Sequence, residues 1–117
     1  MKKISLFVLI VFTFSNCKSQ CNTIDKFNSY NQAISVVQKT YFPTTDNLPA
    51  NKSSWIVSAN YYSCDGNTGY MIYKTARGAT YIHSMIPINI WNDFKKASSS
   101  GSYYNYNIKG KYALRLN

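Results

Sequence analysis

A chain of 117 residues with thirteen Lys and Arg against four acidic residues carries a formal net charge of +9, and 45% of it is hydrophobic and 16% aromatic. That length holds one domain around one modest core, not two, and the composition is that of a globular chain, not a disordered one. All four acids are Asp, so the surface is strongly basic and suits anionic partners such as nucleic acid, anionic lipid or acidic glycans.

The chain begins with Lys2 and Lys3, followed by an almost unbroken apolar run over residues 4–14. A positive start before a short apolar run is the pattern of an export signal, since a permanent span needs about 20 residues. Phe14-Ser15-Asn16-Cys17 resembles the lipobox of a bacterial lipoprotein signal. The resemblance implies cleavage before Cys17, lipid on that cysteine, and a protein tethered to the envelope without a spanning helix. Lys18 stands where an Asp would favour inner-membrane retention, which points to the outer membrane. An uncleaved membrane helix or a plain secretory signal is the alternative, although the latter would end in small residues.

Three cysteines occur, Cys17, Cys21 and Cys64. With lipid on Cys17, the other two form an even pair in an oxidising compartment. Bonded, they would tie the first helix to the sheet and contribute roughly 2–4 kcal/mol. Unbonded, they are two free thiols that never meet. No second Cys or His has metal-ligand spacing from either, so neither a metal nor a cofactor is expected.

Ile24, Phe27, Ile34, Val37 and Tyr41 recur at three-, four- and seven-residue steps, with Tyr30 beside the stripe. This predicts an amphipathic helix over residues 25–40, capped by Thr23 and stopped by Pro43. Residues 43–53, with Asn47, Pro49 and Asn51, read as a loop. Residues 55–62, 70–75 and 79–84 read as three strands, joined at Cys64-Asp65-Gly66-Asn67 and at Arg77-Gly78 into an antiparallel meander. Pro87 opens a helix through Ala97, with Ile90, Trp91 and Phe94 on one face. Residues 98–101 end it and residues 103–107 read as irregular. Residues 110–116 read as a last strand, with Tyr112 and Leu114 alternating against Lys111 and Arg115. The expected fold class is α+β, an N-terminal helix packed on a three-stranded antiparallel meander, a short helix and a final strand. Trp55, Trp91, Phe94 and several tyrosines should supply the core.

Part of this succession is specific. Ser53-Ser54-Trp55-Ile56 leads to Tyr61, Gly78 precedes Tyr81, and Ile86-Pro87 follows. Then come Trp91, Ala97, Ser99, Gly101, Tyr103-Tyr104-Asn105 and Ile108-Lys109-Gly110-Lys111-Tyr112. Residues 53–112 thus resemble the KTSC domain, a module of about sixty residues named for its place at the C-terminus of some lysyl-tRNA synthetases. The family's central Tyr-x-Tyr is here Tyr81-Ile82-His83. The family has no established activity, and its association with the synthetase implies RNA binding. The expected division is a signal peptide over residues 1–16, a tether, helix and loop over 17–52, and a KTSC-like domain over 53–117.

The candidate binding surface combines Tyr81, His83, Tyr103, Lys109, Lys111 and Arg115. Aromatic faces stack bases and basic groups pair phosphates, but Tyr104, Ile108 and Tyr112 can equally pack the helix against the last strand. Alternation puts Tyr81 and His83 on one strand face. His83, the single histidine, is either exposed and functional or a hydrogen-bonded replacement for tyrosine, the commoner case. Asp25, Asp46, Asp65 and Asp93 offer no close pair for glycoside hydrolysis. No Ser stands in a Gly-x-Ser-x-Gly setting, and Gly66-Asn67-Thr68-Gly69 is a hairpin turn without the phosphate-loop pattern. The expected function is therefore that of a non-catalytic, membrane-anchored binding lipoprotein. Its partner would be an envelope protein, a glycan or anionic lipid. RNA binding is the alternative and a small envelope enzyme the third reading.

Overall fold

The structure, a computed structural model, describes residues 21–24 and 26–117. The apolar run, Cys17 and Asp25 lie outside the described residues. Among those described, no helix is long and apolar enough to cross a membrane.

The described residues open with a 3-10 turn, Cys21–Thr23, whose first residue is disulfide-bonded to Cys64. That bond and the burial of Phe27 hold the following residues as an arm, so the first helix, α1 (Tyr30–Lys39), starts five residues later than its apolar stripe predicts. Its cap is Ser29 and not Thr23: the Ser29 hydroxyl accepts from the Gln32 N–H at 3.0 Å, and the Gln32 side chain accepts from the Asn28 N–H. Ala33 and Val37 are its buried positions, whereas Tyr41 of the predicted stripe, and Tyr30 beside it, are half exposed.

Four strands form one antiparallel sheet in the order β1 (Thr44–Asn47), β2 (Ile56–Ser63), β3 (Thr68–Thr75) and β4 (Thr80–Pro87). The expected meander is therefore β2–β4, and β1 corrects the loop reading of residues 43–53. Thr44-Thr45-Asp46-Asn47 lacks a β-former pattern and is bounded by Pro43 and Pro49. Pairing makes it a strand, with Thr44 opposite Ser63 and Asn47 opposite Asn60.

β4 contains a bulge. His83 pairs with Met71 and Ile86 with Gly69, so β4 has one more residue than β3 between these pairs. The displaced residue is Met85, held at φ 58°, a left-handed conformation rare outside Gly. The flip puts Ile82 and Ile86, four apart, on opposite faces of the sheet. Opposite the bulge, Gly69 lies so close to β2 that a Cβ would meet the Tyr62 carbonyl oxygen at 2.3 Å.

Helices cover both faces. On one, α1, Phe27, Phe42 and Leu114 pack on Ile72 and Ile82. On the other, α2 (Ile88–Lys96) and α3 (Ser100–Asn107) pack on Ala59, Tyr61, Met71, Tyr73 and Ile86. Trp91 and Phe94 are wholly buried from α2, and Trp91 stacks on Tyr61 at 5.2 Å. The Tyr61 hydroxyl donates to the Ile86 carbonyl at 2.7 Å, and burial, aided by the charge of Asp65, pushes its pKa up to about 12.

α3 corrects the irregular reading of residues 103–107. Its sequence, Ser-Gly-Ser-Tyr-Tyr-Asn-Tyr-Asn, has poor helix propensity. Packing holds it: Ser99 caps it, the buried Ser100 hydroxyl donates to the Phe94 carbonyl, and Gly101 lies against Trp55.

The expected final strand is absent. After a turn at Gly110 the tail makes one isolated bridge, Ala113 with His83, and ends with the Asn117 N–H donating to the Phe27 carbonyl. Tyr112 packs against the α2–α3 layer and Leu114 against the α1 layer. Residues two apart in a strand share a face; here they straddle the sheet, so the tail wraps the β4 edge instead of extending it.

Candidate binding clefts beside the fourth strand

Where the tail crosses β4 it separates two clefts. The first, of about 370 Å³, lies between α1 and the β4 edge and is lined by Tyr30, Tyr81, Ile82, His83, Tyr104 and Leu114. The second, of about 500 Å³, lies at the bulged end of β4. Its lining includes the Cys21–Cys64 bond, Phe42, Tyr62, Tyr70, Met85, Lys111 and Arg115.

Behind the first cleft runs a directed hydrogen-bond chain. His83 Nδ1 is 3.2 Å from the Tyr112 carbonyl oxygen, which only accepts, so Nδ1 carries the proton. In the neutral ring Nε2 then accepts from the Tyr104 hydroxyl at 2.9 Å, and Tyr104 accepts from the Tyr73 hydroxyl at 2.8 Å. Burial lowers the His83 pKa from its usual value, outweighing the opposing effect of the Tyr112 carbonyl, and so favours this neutral ring. Burial likewise raises Tyr73, which also bonds to Tyr104, and Tyr104 itself. His83 stacks in parallel on Tyr73 at 5.8 Å, and Tyr81 lies on the same ring at 5.3 Å. Both ring nitrogens of His83 are thus engaged in holding α3 and the tail to β4.

In the second cleft, Asp65 closes the β2–β3 turn. Its carboxylate accepts from the Asn67 and Thr68 N–H groups, which hold its pKa below the usual carboxylate value. Lys111 and Arg115 are exposed, and the Lys111 ammonium donates to the Tyr106 carbonyl at 3.2 Å. Met85 is 67% exposed.

The predicted surface is divided by this geometry. Tyr81 and His83 share the first cleft, and Lys111 and Arg115 the second. Lys109 lines neither, lying exposed in the turn after α3. Tyr103 belongs to the α2–α3 layer, where it meets Phe94 at 6.4 Å. Sequence reasoning missed Tyr30 and Met85. The break of alternation at Ser84-Met85-Ile86 was the available signal for Met85; for Tyr30 nothing local distinguished it. Among the described residues no group of three His, Cys, Asp or Glu could hold a metal ion.

Gly101 packed on Trp55 and Tyr104 against Tyr73 place these three motif residues, Trp55, Gly101 and Tyr104, inside one α+β unit, a helix-covered antiparallel sheet. Residues 52–112 match the KTSC domain family, and the chain belongs to that family. Among solved structures, the KTSC domain protein YPO2434 from Yersinia pestis is similar, at 26% identity and a TM-score of 0.51, over 63% of this chain and 99% of that one. No curated protein matches the chain.

Proposed function

We propose that the protein is a non-catalytic binding module, anchored to the cell envelope by lipid on Cys17, that takes an anionic partner at the second cleft. The observation that carries this reading is the placement of Lys111 and Arg115 on an aromatic and aliphatic lining beside the exposed Met85. Apolar walls with a few convergent charges are the usual form of a ligand site. The Cys21–Cys64 bond supports an oxidising compartment, hence export. The engagement of both His83 nitrogens supports a structural rather than a general-base role for that residue.

The geometry gives RNA binding less support. Tyr104 is buried and Tyr103 half-buried in the helix layer, and the exposed rings Tyr30, Tyr81 and Tyr106 come from three different elements. A stacking platform needs successive free aromatic faces.

Chemical-shift mapping with heparin as a generic polyanion tests the site. Perturbations concentrated on Met85 and residues 111–115 are expected. Equal perturbation of every exposed basic residue, Lys74 and Arg77 at the far hairpin included, would contradict a defined site.

A further inference from the structure

The position of the disulfide in the chain has a geometric consequence. Three residues stand between Cys17 and Cys21, and the four extended residue steps from one cysteine to the other span at most about 14 Å. Cys21 is bonded to Cys64 at the β2–β3 turn, with 5.8 Å between their Cα atoms. Lipid on Cys17 would therefore leash the β2–β3 end of the sheet to the bilayer, not the domain at large. The second cleft is at that end, because Cys21 and Cys64 are part of its lining.

We infer that the second cleft docks on the headgroup layer of the membrane that holds the tether, with anionic phospholipid as its ligand; this rests on the proposed lipidation of Cys17. Two observations on the cleft support that occupant. Among the described residues that line the cleft, Lys111 and Arg115 outnumber the one carboxylate, Asp65, whose Oδ1 is engaged by the turn, and a cationic excess is drawn to an anionic leaflet within about a Debye length. Met85 is held outward by a left-handed backbone at the bulge that turns the next residue, Ile86, into the core. An exposed apolar side chain in the same cleft as two cations fits the boundary between headgroups and acyl chains. Strain of this kind persists where surrounding structure enforces it and clusters at functional sites. At the opposite end of the sheet, Lys74 and Arg77 flank the β3–β4 turn and are exposed.

The test uses the acylated full-length product in vesicles, with a membrane-impermeant amine reagent read by mass spectrometry. On vesicles containing phosphatidylglycerol, Lys111 should be labelled at least about fivefold less than Lys74, the factor one basic residue contributes near an anionic surface. On phosphatidylcholine alone that protection should shrink, and Arg115→Glu should reduce it on either surface, whereas Arg77→Glu should leave it unchanged. Equal labelling of Lys111 and Lys74 on the anionic vesicles, with the Cys17 acyl group verified in the same spectra, would overturn the inference and leave the tether standing. A Cys17 without lipid in cells would overturn it together with the reading beneath it.

Discussion

The indole N–H of Trp91 donates to the Asp46 carboxylate at 2.9 Å, joining a wholly buried residue of α2 to the edge strand β1. Asp46 precedes the stretch that matches the family, and Trp91 lies within it. The bond therefore builds β1 into the same folded unit. Burial opposes the charge on Asp46, but the hydrogen bonds from Lys95 and Trp91 prevail and hold its pKa below the usual value. Trp91→Ala is expected to cost about 3–5 kcal/mol of stability through the cavity it leaves. Asp46→Ala should cost about 1–3 kcal/mol, since it strands a buried N–H. Urea denaturation measures both, and an Asp46→Ala midpoint equal to wild type would separate β1 from the core.

Gly101 has no room for a side chain. A Cβ there would lie 2.3 Å from Trp55 Nε1 and 2.7 Å from the Ser53 hydroxyl. Gly101→Ala would ordinarily strengthen a helix by roughly 0.5–1 kcal/mol. Here overpacking should dominate and destabilise by about 1–3 kcal/mol. A melt shifted downward together with altered near-ultraviolet dichroism of Trp55 is the expected result, and a raised melting temperature would contradict the contact.

The Cys21–Cys64 bond spans 43 residues of sequence. Loop-closure entropy for a loop of that size corresponds to about 4 kcal/mol at 25 °C. The double variant Cys21→Ser, Cys64→Ser should lose about 3–4 kcal/mol in denaturant unfolding. Because the bond also anchors the arm through Phe27, amide exchange should rise over residues 24–28. Wild-type stability in the double variant would show that the arm is held without it.

His83 makes stability depend on pH. Its folded pKa lies below the 6.5 of the free side chain, chiefly because burial disfavours the charged ring. The unfolded chain therefore binds the proton more readily, and stability is full above 6.5 and falls as pH drops through that value. Asp46 and Asp65 are both shifted below 3.8, so their contributions are lost only at more acidic pH. Melting temperature should decline as pH falls below 6.5 toward the lowered folded pKa in wild type and stay nearly flat over the same range in His83→Phe. The same slope in both proteins would assign the effect elsewhere.

Strands β2 to β4 and helix α2 were legible because their residues carry both pattern and propensity: β-branched and aromatic runs closed by Gly turns, and a Pro-initiated stripe ending at Phe94. β1 and α3 were not. Asp46-Asn47, half of the four-residue β1, and Ser100-Gly101-Ser102 have little propensity for what they form, and pairing with β2 and the approach of Gly101 to Trp55 decide them. The tail misled in the opposite sense: Tyr112 and Leu114 have strand spacing, but they reach cores on opposite faces. The basic and aromatic residues of the site were visible as types. Their division between two clefts depends on the Met85 bulge and the crossing of the tail, which are tertiary features.

The central claim, a binding module tethered through Cys17, is tested most directly by metabolic labelling with radioactive palmitate in wild type and Cys17→Ala. Label in the membrane fraction of the wild type, absent from the variant, is the predicted result. No label in either, with the protein recovered inside the cell, would contradict the tether and with it the envelope partner.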